Sequence, residues 1–209
     1  MLTYQKIIDI SLPLNENTPL YPGNPKNEFE HFASASGNSF NSKISISSHN
    51  GTHIDAPRHA FANGRGIDQI DLQHFIGECR VLDLTSTKKE ITVEDLQSKN
   101  IQPKERILFK TSNSLRGFKT FFEDYIYLSS DGAIYLAKLN ILLVGIDALS
   151  IKQKGSKDNT PHTALLEKNI PILEGINLKD VDEGEYFLIT QPLNLTGLDA
   201  SPARALLLQ

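Results

Sequence analysis

Tryptophan is absent from this chain, and cysteine occurs once. A single thiol, Cys79, excludes an intrachain disulfide and a thiolate metal cluster, and reads as a small buried apolar residue. Basic residues are in short supply: 21 Lys and Arg stand against 25 Asp and Glu, a formal net charge of -4. No run of Lys and Arg is available to follow a phosphate backbone, so nucleic acid is not an expected partner. Long apolar runs are missing too. The start, MLTYQKIIDI, holds no stretch of signal-peptide length, and Ile141 to Ile146 is far too short to cross a bilayer. The expectation is a soluble, cytoplasmic protein with no membrane partner. No GxSxG elbow is found, which leaves a serine-nucleophile hydrolase little local support.

What is present fits one compact domain spanning residues 1–209, with 39% hydrophobic and 22% charged residues. One region is plainly irregular. Residues 12–26, LPLNENTPLYPGNPK, hold four of the ten prolines and a Pro-Gly turn signal, the composition of an ordered arm or lid. KIIDI before it reads as a short strand. After it Phe40, Ile44 and Ile46 alternate with Asn41, Lys43, Ser45 and Ser47, which predicts an amphipathic strand with its polar face on odd numbers.

The odd face continues into the densest cluster of chemistry in the chain. Three of the six histidines fall within His49 to His59, HNGTHIDAPRH, together with Asp55. Neutral imidazole and carboxylate are good ligands for a divalent transition metal. On a straight strand, residues four apart lie roughly 13 Å from each other, too far for His49 and His53 to meet one ion. The chain must therefore bend near Gly51, through glycine-permitted backbone angles or through a helical turn, and the sequence leaves both open. Pro57 fixes the exit and disfavours helix at Ala56. Three ligands, His49, His53 and Asp55, with water in the remaining position, describe an open catalytic site. A metal lowers the pKa of such a water from about 15.7 towards 7, creating a hydroxide nucleophile, and His59 has the right pKa class to shuttle the proton. Hydrolysis of a carbonyl compound follows as the natural reaction.

The remaining chain reads as α/β. ECRVLDLT and ERILFKT are strands, and TVEDLQSK is a short helix with Thr92 as N-cap. SDGAIYLAKLN is a helix feeding the strand ILLVGID. Asn159-Thr160-Pro161 marks a helix start with proline at the first position, which puts His162 in the first turn on the side of Leu165 and Leu166. IPILEGI is a strand broken by Gly175 with Glu174 at its end, and EYFLITQPL is a late strand before the tail SPARALLLQ. His31 and His74 read as surface or satisfied core histidines; Asp131, Asp147 and Arg204 read as capping or ion-pair residues.

HNGTHIDAPRH resembles the hallmark H-x-G-T-H-x-D-x-P-x-H of the cyclase family of metal-dependent hydrolases, which includes bacterial kynurenine formamidase and isatin hydrolase, and every fixed position is present. The likeness extends through DISLPL, YPGNP, YLSSDGAIYLA, LLVGIDALSI, ILEGINL and SPARALLL. The resemblance implies a swivelling β/β/α fold with a barrel-like mixed β core and peripheral helices. It implies one or two divalent ions per subunit, zinc first and manganese as the alternative. His49, His53 and Asp55 would hold one ion, with Asp55 bridging to a second held by His162 and Glu174, and His59 would be the general acid/base. Implied too are a homodimer or homotetramer and a small-molecule substrate, an aryl formamide such as N-formylkynurenine, a step in tryptophan catabolism. Isatin-like lactams and other cyclic amides or esters are the alternative substrates, and a metal-clipped small-molecule binding protein is the non-enzymatic one. One position departs: kynurenine formamidases place a tryptophan in the arm where this chain has Tyr21, which still offers a ring for an aromatic substrate. The proline-rich arm is the element expected to reach a neighbouring subunit.

Overall fold

The computed structural model describes residues 4–209. Seven strands close into a mixed barrel. In chain order the elements are β1 (Ile7–Asp9), β2 (Glu28–Ala33), β3 (Phe40–Ser45), β4 (His53–Asp55), β5 (Ile76–Asp83), β6 (Glu90–Ile91), α1 (Val93–Ser98), β7 (Arg106–Lys110), α2 (Ser112–Arg116), β8 (Tyr127–Leu128), α3 (Ser130–Leu139), β9 (Leu143–Ile146), α4 (Thr160–Glu167), β10 (Ile172–Glu174), β11 (Gly184–Pro192) and β12 (Ala200–Leu208). β5, β7, β9 and β10 run parallel, and β4, β12 and β11 complete the ring in antiparallel fashion. β1 extends the sheet beyond β4 by pairing with the far end of β12.

Strand alternation sorts the apolar residues into two cores. Leu108, Leu143, Leu173, Leu188 and Leu207 fill the barrel interior with Ile54, Phe75 and Val81. Their neighbours Ile107, Phe109, Val144, Ile146 and Ile172 face outward and pack under Leu96, Leu136, Leu165 and Leu166 of α1, α3 and α4. Strands buried on both faces read as continuous apolar runs, as ILLVGID does. The caps follow the sequence. Thr92 and Asp95 form a reciprocal capping box on α1, and Ser129 caps α3. Asp147 is fully buried and accepts hydrogen bonds from the backbone of Thr111 and Ser114 at the start of α2, a capping role, while Arg204 pairs with Asp9. Cys79 is buried. α4 begins at Thr160, one residue ahead of expectation, so Pro161 is its second residue; His162 still lies in the first turn.

Two expectations are corrected. SPARALLLQ is no tail: it is β12, the strand that closes the barrel. Its Pro202 falls just before the register shared with β11, which begins at Ala203, so the missing N–H breaks no bond on that side. The amphipathic strand ends at Ser45, and with β2 it forms a hairpin apart from the barrel, leaving Phe40 84% and Ile44 59% exposed. The proline-rich arm lies against its own chain. Leu12 N donates to Thr52 Oγ1 (2.8 Å), and Asn50 Nδ2 donates to Pro25 O (2.9 Å).

Two glycines govern the end of the barrel where β4 and β10 meet. Gly51 has φ +68° and Gly175 φ +69°, and a Cβ on Gly175 would come within 2.4 Å of Gly51 O. Gly175→Ala combines left-handed strain with a backbone clash. We expect a loss of more than about 2 kcal/mol, or a fall in Tm of roughly 4–8 °C, measurable by thermal denaturation.

Candidate active site

The bend left open by the sequence is a turn, not a helix. His49 sits in it, Gly51 reverses the chain, and β4 starts at His53, which pairs with Glu174 across the antiparallel β4–β10 register. Asp55 ends β4. Ala56 is extended, and Pro57 opens a 3-10 turn that carries His59 back over the same barrel end. α4 brings His162 in from outside the barrel. Thr52 ties these pieces together by donating to Gly175 O (2.6 Å) while receiving Leu12 N.

All six polar residues expected at the site converge. His49 Nδ1 lies 2.9 Å from Asp55 Oδ1. His53 Nε2 stands 3.5 Å from Asp55 Oδ1 and 3.3 Å from Glu174 Oε2. His162 Nε2 is 3.6 Å from Asp55 Oδ2 and 3.4 Å from Glu174 Oε1. The His59 ring packs 4.3 Å from His49 and 5.0 Å from His162, centroid to centroid. Asp55 is thus central to two groups of possible ligand atoms, one with His49 and His59 and one with His53 and Glu174.

Buried charge dominates the electrostatics. Burial alone would raise Asp55, yet the His59, His49 and His53 imidazoles hold it well below the usual carboxylate range. Burial and the Asp55 charge push Glu174 up, and contacts with His162 and His53 outweigh them and lower it. Burial lowers His49, but Asp55 and Asp199 lift it to about 9; His53 is likewise raised against burial by Glu174 and Asp55. His59 goes the other way: burial, opposed by Asp55 and reinforced by His49 and His162, sets it below the ordinary histidine value.

The donor set fits a divalent ion. His53 Nδ1 donates to Gly51 O (3.0 Å), which fixes the tautomer and aims the Nε2 lone pair at the two carboxylates. Among the described residues His53 Nε2 and both Asp55 oxygens are buried without a hydrogen-bond partner. Two buried carboxylates facing a lone pair require positive charge between them.

A cavity of about 350 Å³ opens onto this cluster, lined by Tyr21, Asn24, Lys152 and Asn159 besides the histidines and Glu174. Tyr21 thus lines its own chain's cavity, with its ring edge-on to Phe121 at 5.4 Å. Sequence reasoning missed Asp199, which precedes β12 and accepts from His49 Nε2 (2.8 Å) and Ser48 Oγ (3.1 Å). No spacing signal links it to a histidine 150 residues away. As the carboxylate that orients His49, Asp199 has a measurable role. Asp199→Asn should weaken binding of zinc or manganese about 10–100-fold with the fold intact, by calorimetric titration and circular dichroism. An unchanged affinity would remove Asp199 from that role.

Comparison with known proteins extends this picture. The Cyclase family model matches residues 8–153, more than half of the chain. The kynurenine formamidase of Bacillus cytotoxicus is 36% identical, with 96% of each chain covered. Among solved structures, one described as a predicted metal-dependent hydrolase from Bacillus stearothermophilus is 38% identical, covers 97% of each chain and superposes with a TM-score of 0.86. Isatin hydrolase A from Ralstonia solanacearum, 23% identical over 97% of this chain and 91% of its own, shares the fold with a TM-score of 0.83. The chain belongs to the Cyclase family and is a hydrolase of that family.

Proposed function

We propose that the chain hydrolyses a small amide, an aryl formamide of the N-formylkynurenine type, with water as co-substrate and formate and the free aryl amine as products. The observation that carries this reading is the set of unpartnered buried ligand atoms on His53 and Asp55 at a cavity lined by Tyr21 and the histidines. The kynurenine formamidase relatives support the substrate class. His49, His53 and Asp55 would hold one divalent ion, and Asp55, His162 and Glu174 a second. Such ions, when bound, supply an activated water and a Lewis acid for the scissile carbonyl.

The chain's own groups do the rest. His59, held below the ordinary histidine pKa, is neutral at pH 7 and accepts the proton of the attacking water at a ring nitrogen. The same nitrogen returns it to the leaving amine as the C–N bond breaks. Tyr21 presents its ring to the aryl group. Asp199, 4.0 Å from His59 Nδ1 as well as bonded to His49, steadies the imidazolium formed midway.

No helix among the described residues is long and apolar enough to cross a membrane. A homo-oligomer, dimer or tetramer, belongs to the same proposal. It is supported by the β2–β3 hairpin, whose Phe29, Ile44, Ala33 and Phe40 share one face by cross-strand register. A two-stranded hairpin is marginal in water unless another layer covers it.

Protein reconstituted with zinc or manganese should release kynurenine from N-formylkynurenine and lose this activity on chelation. His59→Ala should lower kcat about 10²–10⁴-fold with metal retained. Absence of turnover with metal bound rejects the formamide and directs the search to isatin-like lactams. For the oligomer, sedimentation should give at least a dimer, converted towards monomer by Phe40→Ser with Ile44→Ser; a monomeric parent protein rejects it.

A further inference from the structure

We infer that Lys152 reads a carboxylate on the substrate, so that the site selects amides that carry a carboxylate over those that lack one. The inference rests on the hydrolase reading and adds a specificity-determining residue to it. Lys152 lines the cavity: its ammonium donates to Asn159 Oδ1 (3.2 Å), and among the described residues no ion pair engages it. An ammonium has three donors, and one is used. Asp158 feels the Lys152 charge but is committed to Ser130 Oγ and to the backbone and hydroxyl of Thr160 at the start of α4.

The position is fixed from both sides. Ile151 N donates to Glu174 Oε1 (2.7 Å), which ties the residue before Lys152 to the carboxylate cluster. The Tyr125 hydroxyl donates to Lys152 O. Asn159, which holds the ammonium, immediately precedes α4 and stands three residues before His162. A half-buried cation anchored to the same framework as the carboxylate cluster is a preorganised receptor for an anionic group. Behind Tyr21 the rings of Phe121 and Tyr125 pack edge-on in series, centroids 5.4 and 5.9 Å apart, and the last of them is the residue whose hydroxyl holds Lys152, so Tyr21 and Lys152 line one cavity from a shared support. An aryl amide stacked on Tyr21 can place its amide over the histidines and a carboxylate at Lys152.

N-formylkynurenine and its methyl ester differ only in the carboxylate and make a matched pair. The metal-loaded protein should favour the acid at least about tenfold in kcat/KM, and Lys152→Gln should raise KM for the acid about 10–100-fold with kcat on the ester retained. Lys152→Arg should restore the preference, which separates charge recognition from a structural role. Equal use of acid and ester by the parent protein, or a preference that survives Lys152→Gln, overturns the inference. If neither compound is hydrolysed, the formamide reading fails and binding decides Lys152 separately. Calorimetric titration with kynurenine and its methyl ester should then show a Lys152-dependent preference for the acid, and equal affinities overturn it.

Discussion

The crossing of two glycine turns is the constraint on which the site depends. Gly51 and Gly175 both adopt positive φ, and the backbone of one passes so close to the other that no side chain fits between them. Thr52 locks the crossing by bonding Gly175 O on one side and Leu12 N on the other. The turn at Gly51 sets His49 beside His53, and the turn at Gly175 ends β10 with Glu174 facing them. A glycine and a threonine of the HNGTHIDAPRH stretch thus act on the backbone: they let two chain segments approach closely enough for the histidines and carboxylates to converge.

Charge is the second organising term. Asp55 and Glu174 are both buried, and four imidazoles surround them. Carboxylates leave water at a cost of several kcal/mol each unless positive charge replaces it. The barrel end supplies protonatable nitrogen and a geometry suited to a cation, while Asp199 compensates His49 from the solvent side. His59 differs from its neighbours in this balance: it is pushed towards neutrality where His49 is pulled towards charge. Two histidines ten residues apart in one motif therefore suit different tasks.

Around this centre the barrel divides its labour. The parallel strands β7, β9 and β10, sheathed by helices, are rigid and apolar, and β10 delivers Glu174 at its C-terminal end. The irregular segments supply the adjustable contacts: the proline arm brings Tyr21 and Asn24, and the stretch between β9 and α4 brings Lys152 and Asn159. Prolines suit the arm because they restrict an element that has few backbone bonds of its own.

The local code was legible where periodicity and capping speak for themselves. Thr92 with Asp95, the apolar run of β9, the helix start before His162 and the bend at Gly51 all followed from adjacent residues. So did the clustering of His49, His53 and Asp55, because their spacing is local; His162 and Glu174 were placed inward by pattern and were joined to that cluster only through the family resemblance. Tertiary structure alone decided the rest. β12 looked like a tail because the single proline in it is tolerated only at the boundary of a register the sequence does not reveal. The β2–β3 hairpin shows that alternation predicts a strand but not what covers its apolar face. Asp199 and Lys152 carried no local signal, since their place at the cluster and its cavity is set by the tertiary fold.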